Sequence, residues 1–110
     1  MLSKKDVIDL NMQFSTGQIV NGGSLEFAVK TNARSKNWLR SAAILTRSIL
    51  IDHVFEDGNK RTAAAAIMLL MDLNKIRFNP EKIPKIVVKI LKNNITNVTE
   101  IERCIKDGIS

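Results

Sequence analysis

Apolar residues recur along most of this chain at steps of three and four, with charged and amide residues between them. Val7, Ile8, Leu10, Met12 and Phe14 mark a first stretch. Ser3 and Asp6 precede it at the spacing of a reciprocal helix cap, which predicts a helix over residues 4–14. Residues 15–23, STGQIVNGG, are turn formers around a short extended Gln18-Ile19-Val20 and read as a loop. Ser24 is placed to cap a short helix, LEFAVKTN, although Leu25, Phe27 and Val29 also alternate as they would in a strand. From Ser35 to Asp52 the helical period is unbroken. Trp38, Leu39, Ala42, Leu45, Ile49 and Leu50 share one face, and Lys36, Arg40 and Arg47 lie opposite.

A second strong helix is predicted from about Asn59 to Asn74. Four alanines at 63–66 give it high propensity and allow a neighbour to approach closely, and Ile67, Leu70, Met71 and Leu73 continue its apolar face. Asn79-Pro80 breaks the chain, and Pro84 suits the first turn of a helix carrying Ile86, Val87, Ile90 and Leu91. Thr99 and Glu102 suggest a cap for a last helix with Ile101 and Ile105, and Gly108 follows as a stop. The expectation is an all-α chain: one compact domain over residues 1–110, with five or six helices.

Composition narrows the function classes. At 110 residues the chain has room for one core, and its 45% apolar content excludes disorder by composition. No window approaches the roughly 20 uncharged apolar residues of a membrane span. The start, MLSKKDVIDL, lacks an apolar segment of signal-peptide length. A single cysteine, Cys104, cannot form an internal disulfide. A cytoplasmic protein without a membrane partner is expected. The net charge of +6 points to an anionic partner. The cations are scattered, without a basic run or aromatic interleaving, which favours a nucleotide or an acidic protein over nucleic acid.

The chemistry concentrates in HVFEDGNKR, residues 53–61. A helix starting at Asn59 offers unpaired N–H groups and a partial positive charge, a ready site for phosphate. Gly58 lets a ligand approach the backbone, and Asn59 can cap the helix or hold an anion. Lys60 and Arg61 stand at the helix end where cations are unfavourable, a local rule violation that an oligophosphate would resolve. Asp57, with Glu56 beside it, is placed to ligate Mg²⁺ on phosphate oxygens. His53 is the one side chain here that takes a proton near neutral pH, and Phe55 would point inward to anchor the loop. Together these describe attack by a hydroxyl on a nucleotide phosphate. There is no GxxxxGK[ST] or GxGxxG segment, an EF-hand register would put His53 and Phe55 at ligand positions, and zinc needs more Cys and His than the chain has.

These residues resemble the signature of the Fic/Doc family, His-x-Phe-x-Asp/Glu-Gly/Ala-Asn-x-Arg, at His53, Phe55, Asp57, Gly58, Asn59 and Arg61. NGGSLEFAV, residues 21–29, is similar to the upstream Gly-rich segment of the Doc (death-on-curing) branch. The resemblance covers most of residues 3–78. It implies a transferase that uses ATP as substrate with Mg²⁺. His53 would deprotonate a Ser, Thr or Tyr hydroxyl of a target protein, and Asp57 would hold Mg²⁺. Gly58, Asn59, Lys60 and Arg61 would bind phosphates, and Gln18, Ile19 and Val20 would form a flap that docks the target as an added strand.

Adenylylating Fic proteins have glycine at the position of Lys60 and a second arginine at that of Ala64. Both departures resemble Doc, which transfers the γ-phosphate with the nucleotide reversed. Doc-like toxins phosphorylate a translation elongation factor and are neutralised by an antitoxin. Many relatives have proline at the place of Val54. Self-inhibiting Fic proteins carry Ser/Thr-x-x-x-Glu-Gly/Asn; Thr96 and Glu100 have that spacing but Ile101 follows, so a separate antitoxin is the expected control. A Doc-like protein kinase is therefore the leading expectation. An adenylyltransferase stands second, and a catalytically silent binding module on the same fold third.

Overall fold

A computed structural model describes residues 2–110. It contains α1 (Lys4–Met12), α2 (Gly22–Ala33), α3 (Trp38–Leu50), α4 (Asn59–Leu73), α5 (Lys82–Lys92) and α6 (Val98–Lys106). Among the described residues there is no strand, only isolated antiparallel bridges at Ile19–Phe55 and Phe78–Ile109. The architecture is all-α, and the ambiguous period of 25–32 resolves as helix. Among the described residues no helix is long and apolar enough to cross a membrane.

α3 and α4 form the centre. α3 packs against α2, α4 and α6, and α4 packs in addition against α1 and α5. Small residues permit that density of neighbours. Ala42, Ala43, Ala63, Ala64 and Ala66 are all buried, and Leu45, Ile49, Ile67, Met71, Ile83, Ile90, Ile101 and Ile105 fill the space between the helices.

Several helix ends differ from expectation. α1 stops at Met12 rather than at residue 14, because Phe14 and Ser15 both turn their N–H groups back onto the Asn11 carbonyl. α2 begins at Gly22, so Ser24 lies inside it and caps nothing. Its hydroxyl instead meets Ser48 Oγ at 2.7 Å and donates to Asp52 Oδ2 at 2.7 Å. α3 is shorter than residues 35–52, because the Asn37 side chain accepts from the N–H groups of Leu39 and Arg40 and sets its start. α6 is capped by Asn97, which accepts from Glu100 N–H, and not by Thr99. Glu102, expected to complete that cap, pairs with Arg40 of α3 at 3.4 Å. α6 ends at Lys106 with Asp107 as its C-cap, and Gly108 follows where a Cβ would lie 2.5 Å from Ile83 Cδ1.

Two connections cross where α4 begins. The segment leading into α2 runs antiparallel to the α3–α4 loop. Val20 N–H donates to Val54 O at 2.8 Å, and Glu56 N–H donates to Gln18 O at 3.0 Å. Ile19 packs against the core, while Gln18 and Val20 on either side are exposed.

Candidate functional site at the start of α4

α4 starts behind Gly58, whose φ of 77° lies in the left-handed region that glycine adopts without penalty. A Cβ at Gly58 would also sit 3.2 Å from Asn11 Nδ2 and 3.4 Å from Ser15 Cβ. Both the backbone angle and the space call for glycine. No side chain caps the helix. Its end opens onto a cavity of about 310 Å³ lined by Phe14, Asp57, Gly58, Asn59, Lys60 and Arg61.

Lys60 and Arg61 are exposed. The ion pairs among the described residues use Lys4, Lys5, Arg40 and Arg47, so the two cations at the helix end are unpaired. They add to the positive end of the helix dipole instead of offsetting it. The Asp57 carboxylate lines the same cavity but forms no ion pair with either cation, so an anion in the cavity would find both unengaged.

Asn59 is 8% exposed and its side chain is spent on the loop. Oδ1 accepts from Phe55 N–H at 3.0 Å and Nδ2 donates to Phe55 O at 2.8 Å. That two-pronged bond fixes which amide atom is which. Nδ2 then meets His53 Nδ1 at 3.3 Å, so the assigned tautomer of a neutral His53 carries its proton on Nε2 and its lone pair on Nδ1. The Asn59 side chain is thus engaged by the Phe55 peptide and the histidine, which leaves its main-chain N–H as the group that could face an anion.

His53 is exposed and has a left-handed φ of 53°, a backbone state that costs about 1–2 kcal/mol outside glycine. Its neighbours hold it there. Asn21 Nδ2 donates to Asp52 O at 2.8 Å, and Ser24 grips the Asp52 carboxylate. Phe55 is fully buried, as is Val54. Asp57 and Glu56 are exposed, and Ser15 Oγ lies 3.5 Å from Asp57 Oδ2. No group of three His, Cys, Asp or Glu among the described residues forms a metal cage. One or two exposed carboxylates beside an anion cavity fit Mg²⁺, which prefers water and substrate phosphates for most of its ligands.

Sequence reasoning missed Asn11. It is completely buried in α1, on the stripe with Val7 and Leu10. Its Nδ2 donates to Asp57 O at 2.9 Å and to Thr62 Oγ1 at 3.0 Å, while Oδ1 accepts from Gly17 N–H at 2.9 Å. One amide thus ties together α1, the Gly17 turn, the Asp57 turn and α4. The signal available was an amide on an otherwise apolar stripe.

A model of the Fic/DOC family matches residues 4–71, well over half of the chain. The chain belongs to the Fic/DOC family. No curated protein and no solved structure shows significant similarity to it. The Fic/DOC match takes in α1 to α3, the Gln18–Val20 segment, the His53 loop and all but the last two residues of α4, and ends at Met71, before α5 and α6. Thr96 and Glu100 lie beyond it. The Thr96 carbonyl accepts from Arg47 Nε at 2.8 Å, and Glu100 is exposed in the first turn of α6.

Asn11→Leu keeps the side chain's bulk but leaves the Asp57 carbonyl and the Gly17 N–H without their partner. The expected loss is about 1–3 kcal/mol for each group that stays buried. Urea unfolding measures it, and an unchanged midpoint would show that Asn11 does not hold this Fic/DOC site together.

Proposed function

We propose that the chain is a Doc-like protein kinase, acting as the toxin of a cytoplasmic toxin–antitoxin pair. It would move the γ-phosphate of ATP to a Ser, Thr or Tyr hydroxyl of a protein such as a translation elongation factor. The observation that carries this reading is the uncapped start of α4 with two unpaired cations at its mouth. Lys60 over adenylylation's glycine, and Ala64 over its second arginine, favour γ-phosphate transfer.

In this mechanism the imidazole of His53 takes the proton of the target hydroxyl. The hydroxyl oxygen bonds to the γ-phosphorus as the bond from that phosphorus to the bridging oxygen breaks, and the nucleoside diphosphate leaves with the electron pair. Negative charge on the transferring group meets the N–H groups behind Gly58 together with Lys60 and Arg61. Asp57, with Glu56 adjacent, would hold Mg²⁺, which supplies charge neutralisation across neighbouring phosphates. The exposed segment Gln18–Val20 would receive the target's backbone as an added strand.

The test is ATP labelled at the α or the γ position, incubated with Mg²⁺, a cell lysate and a purified elongation factor. The γ label is expected on protein, and its transfer is expected to stop when Mg²⁺ is chelated. Transfer of the α label instead would make the chain an adenylyltransferase. Transfer of neither would favour a binding module.

A further inference from the structure

A second cavity, of about 240 Å³, continues from the cationic end of α4. Phe14, Lys60 and Arg61 line both cavities. The rest of the second one is apolar: Ala64, Ala65 and Met68 of α4 face Pro84, Val87 and Val88 of α5. Residues 60, 64 and 68 follow one face of α4, and 61 and 65 lie beside them, so the groove starts at the two cations. From Lys60 to Met68 it extends about 12 Å along the helix axis. Ala64 and Ala65 leave the groove open because they are small.

We infer that this groove receives the base of the bound nucleotide and holds it by burial and stacking alone, so that the identity of the base is not read. The inference rests on the reading above that the start of α4 binds phosphates. A slot with full positive charge at one end and apolar walls along its length is complementary to a ligand with phosphates at one end and a flat ring at the other. The volume supports that division. It falls below the roughly 300–1,000 Å³ of sites that enclose a whole drug-sized ligand. One ring system fits inside, and the phosphates are left at the mouth with Lys60 and Arg61.

The chemistry of the wall then sets specificity. Strong discrimination between polar analogues requires buried donors and acceptors that the wrong ligand leaves unpaired. The polar side chains lining this groove are Lys60 and Arg61, both at its phosphate end. Beyond the uncapped first turn of α4 at the phosphate end, the main chain of Ala64, Ala65, Met68, Val87 and Val88 lies within helix hydrogen bonding, and Pro84 has no N–H to offer. Nothing in the wall distinguishes the 6-amino group of adenine from the 6-oxo group of guanine.

Calorimetry on the full chain with Mg²⁺ would compare ATP, GTP and inorganic triphosphate. ATP and GTP are expected within about tenfold of each other, against the 10⁴–10⁵-fold of sites that hydrogen-bond the distinguishing group. Both are expected about ten- to a hundredfold tighter than triphosphate, the increment of stacking one base. Ala65→Phe, which fills the groove, should remove that increment and leave triphosphate binding unchanged. Ala65→Leu is the milder filler should the phenylalanine variant fail to fold. Discrimination of ATP from GTP by a thousandfold or more would overturn the inference. So would undiminished ATP affinity in a folded filled variant, or ATP bound no tighter than triphosphate by the unaltered chain. That last result would leave the groove to a side chain of a partner protein. Should triphosphate and both nucleotides fail to bind the unaltered chain, the phosphate site itself falls, and the inference with it.

Discussion

His53→Ala is expected to slow phosphoryl transfer by about 10²–10⁴-fold, the contribution of a positioned general base. The fold should scarcely respond. His53 is exposed, and the long contact from Asn59 is its one side-chain hydrogen bond among the described residues. Alanine retains a Cβ at the left-handed backbone position and so inherits the existing strain without adding to it. The change in stability should stay within about 0.5 kcal/mol, as for surface substitutions away from special features. Nucleotide affinity should also persist, because the phosphate-holding groups lie on the far side of Gly58. Single-turnover transfer of the γ label, run beside a thermal melt and a nucleotide titration, separates these three quantities. An unchanged transfer rate would remove His53 from the base role. A lost nucleotide affinity would move it into the binding site.

The candidate site was legible because its chemistry is contiguous. His53 to Arg61 is one short run, and the conflict between two cations and a helix start is visible without coordinates. The long periods of α3 and α4 were legible as well, since their apolar faces are unbroken. The helix starts that were misjudged share a cause. Ser24 has the chemistry of a cap, but its hydroxyl is claimed by Ser48 and Asp52, residues brought to it only when α2 packs on α3. Thr99 and Asn97 are both acceptable caps for α6. The choice follows from where α6 lands on α3, with Arg40 reaching Glu102 and Arg47 reaching the Thr96 carbonyl. Asn11 and the apolar groove beyond Lys60 were invisible for the same reason. Each joins side chains from separate helices, and local spacing carries no record of such a meeting.

Phe55→Ala should lower stability by about 3–5 kcal/mol, the usual loss on deleting a buried aromatic ring. Phe55 is among the largest fully buried side chains, with no exposed surface. A domain of this size has about 5–15 kcal/mol in total, so the variant would be marginal. At about 4 °C or more per kcal/mol, the melting temperature should fall by more than about 10 °C. Phe55→Leu preserves most of the apolar bulk and should cost less than about 1.5 kcal/mol where the surroundings repack. Trp38, the single tryptophan, is partly buried at the start of α3 and reports unfolding away from the loop itself. A melt like that of the unaltered chain would mean that the ring is not packed as described. The ring also anchors the peptide whose N–H and C=O fix the Asn59 amide, and that amide in turn meets His53. Transfer by the alanine variant should therefore fall even at low temperature, where most of the protein remains folded. If stability drops while low-temperature transfer per folded molecule does not, Phe55 supports the fold alone, and the histidine's orientation is set by the Asp52 turn that precedes it.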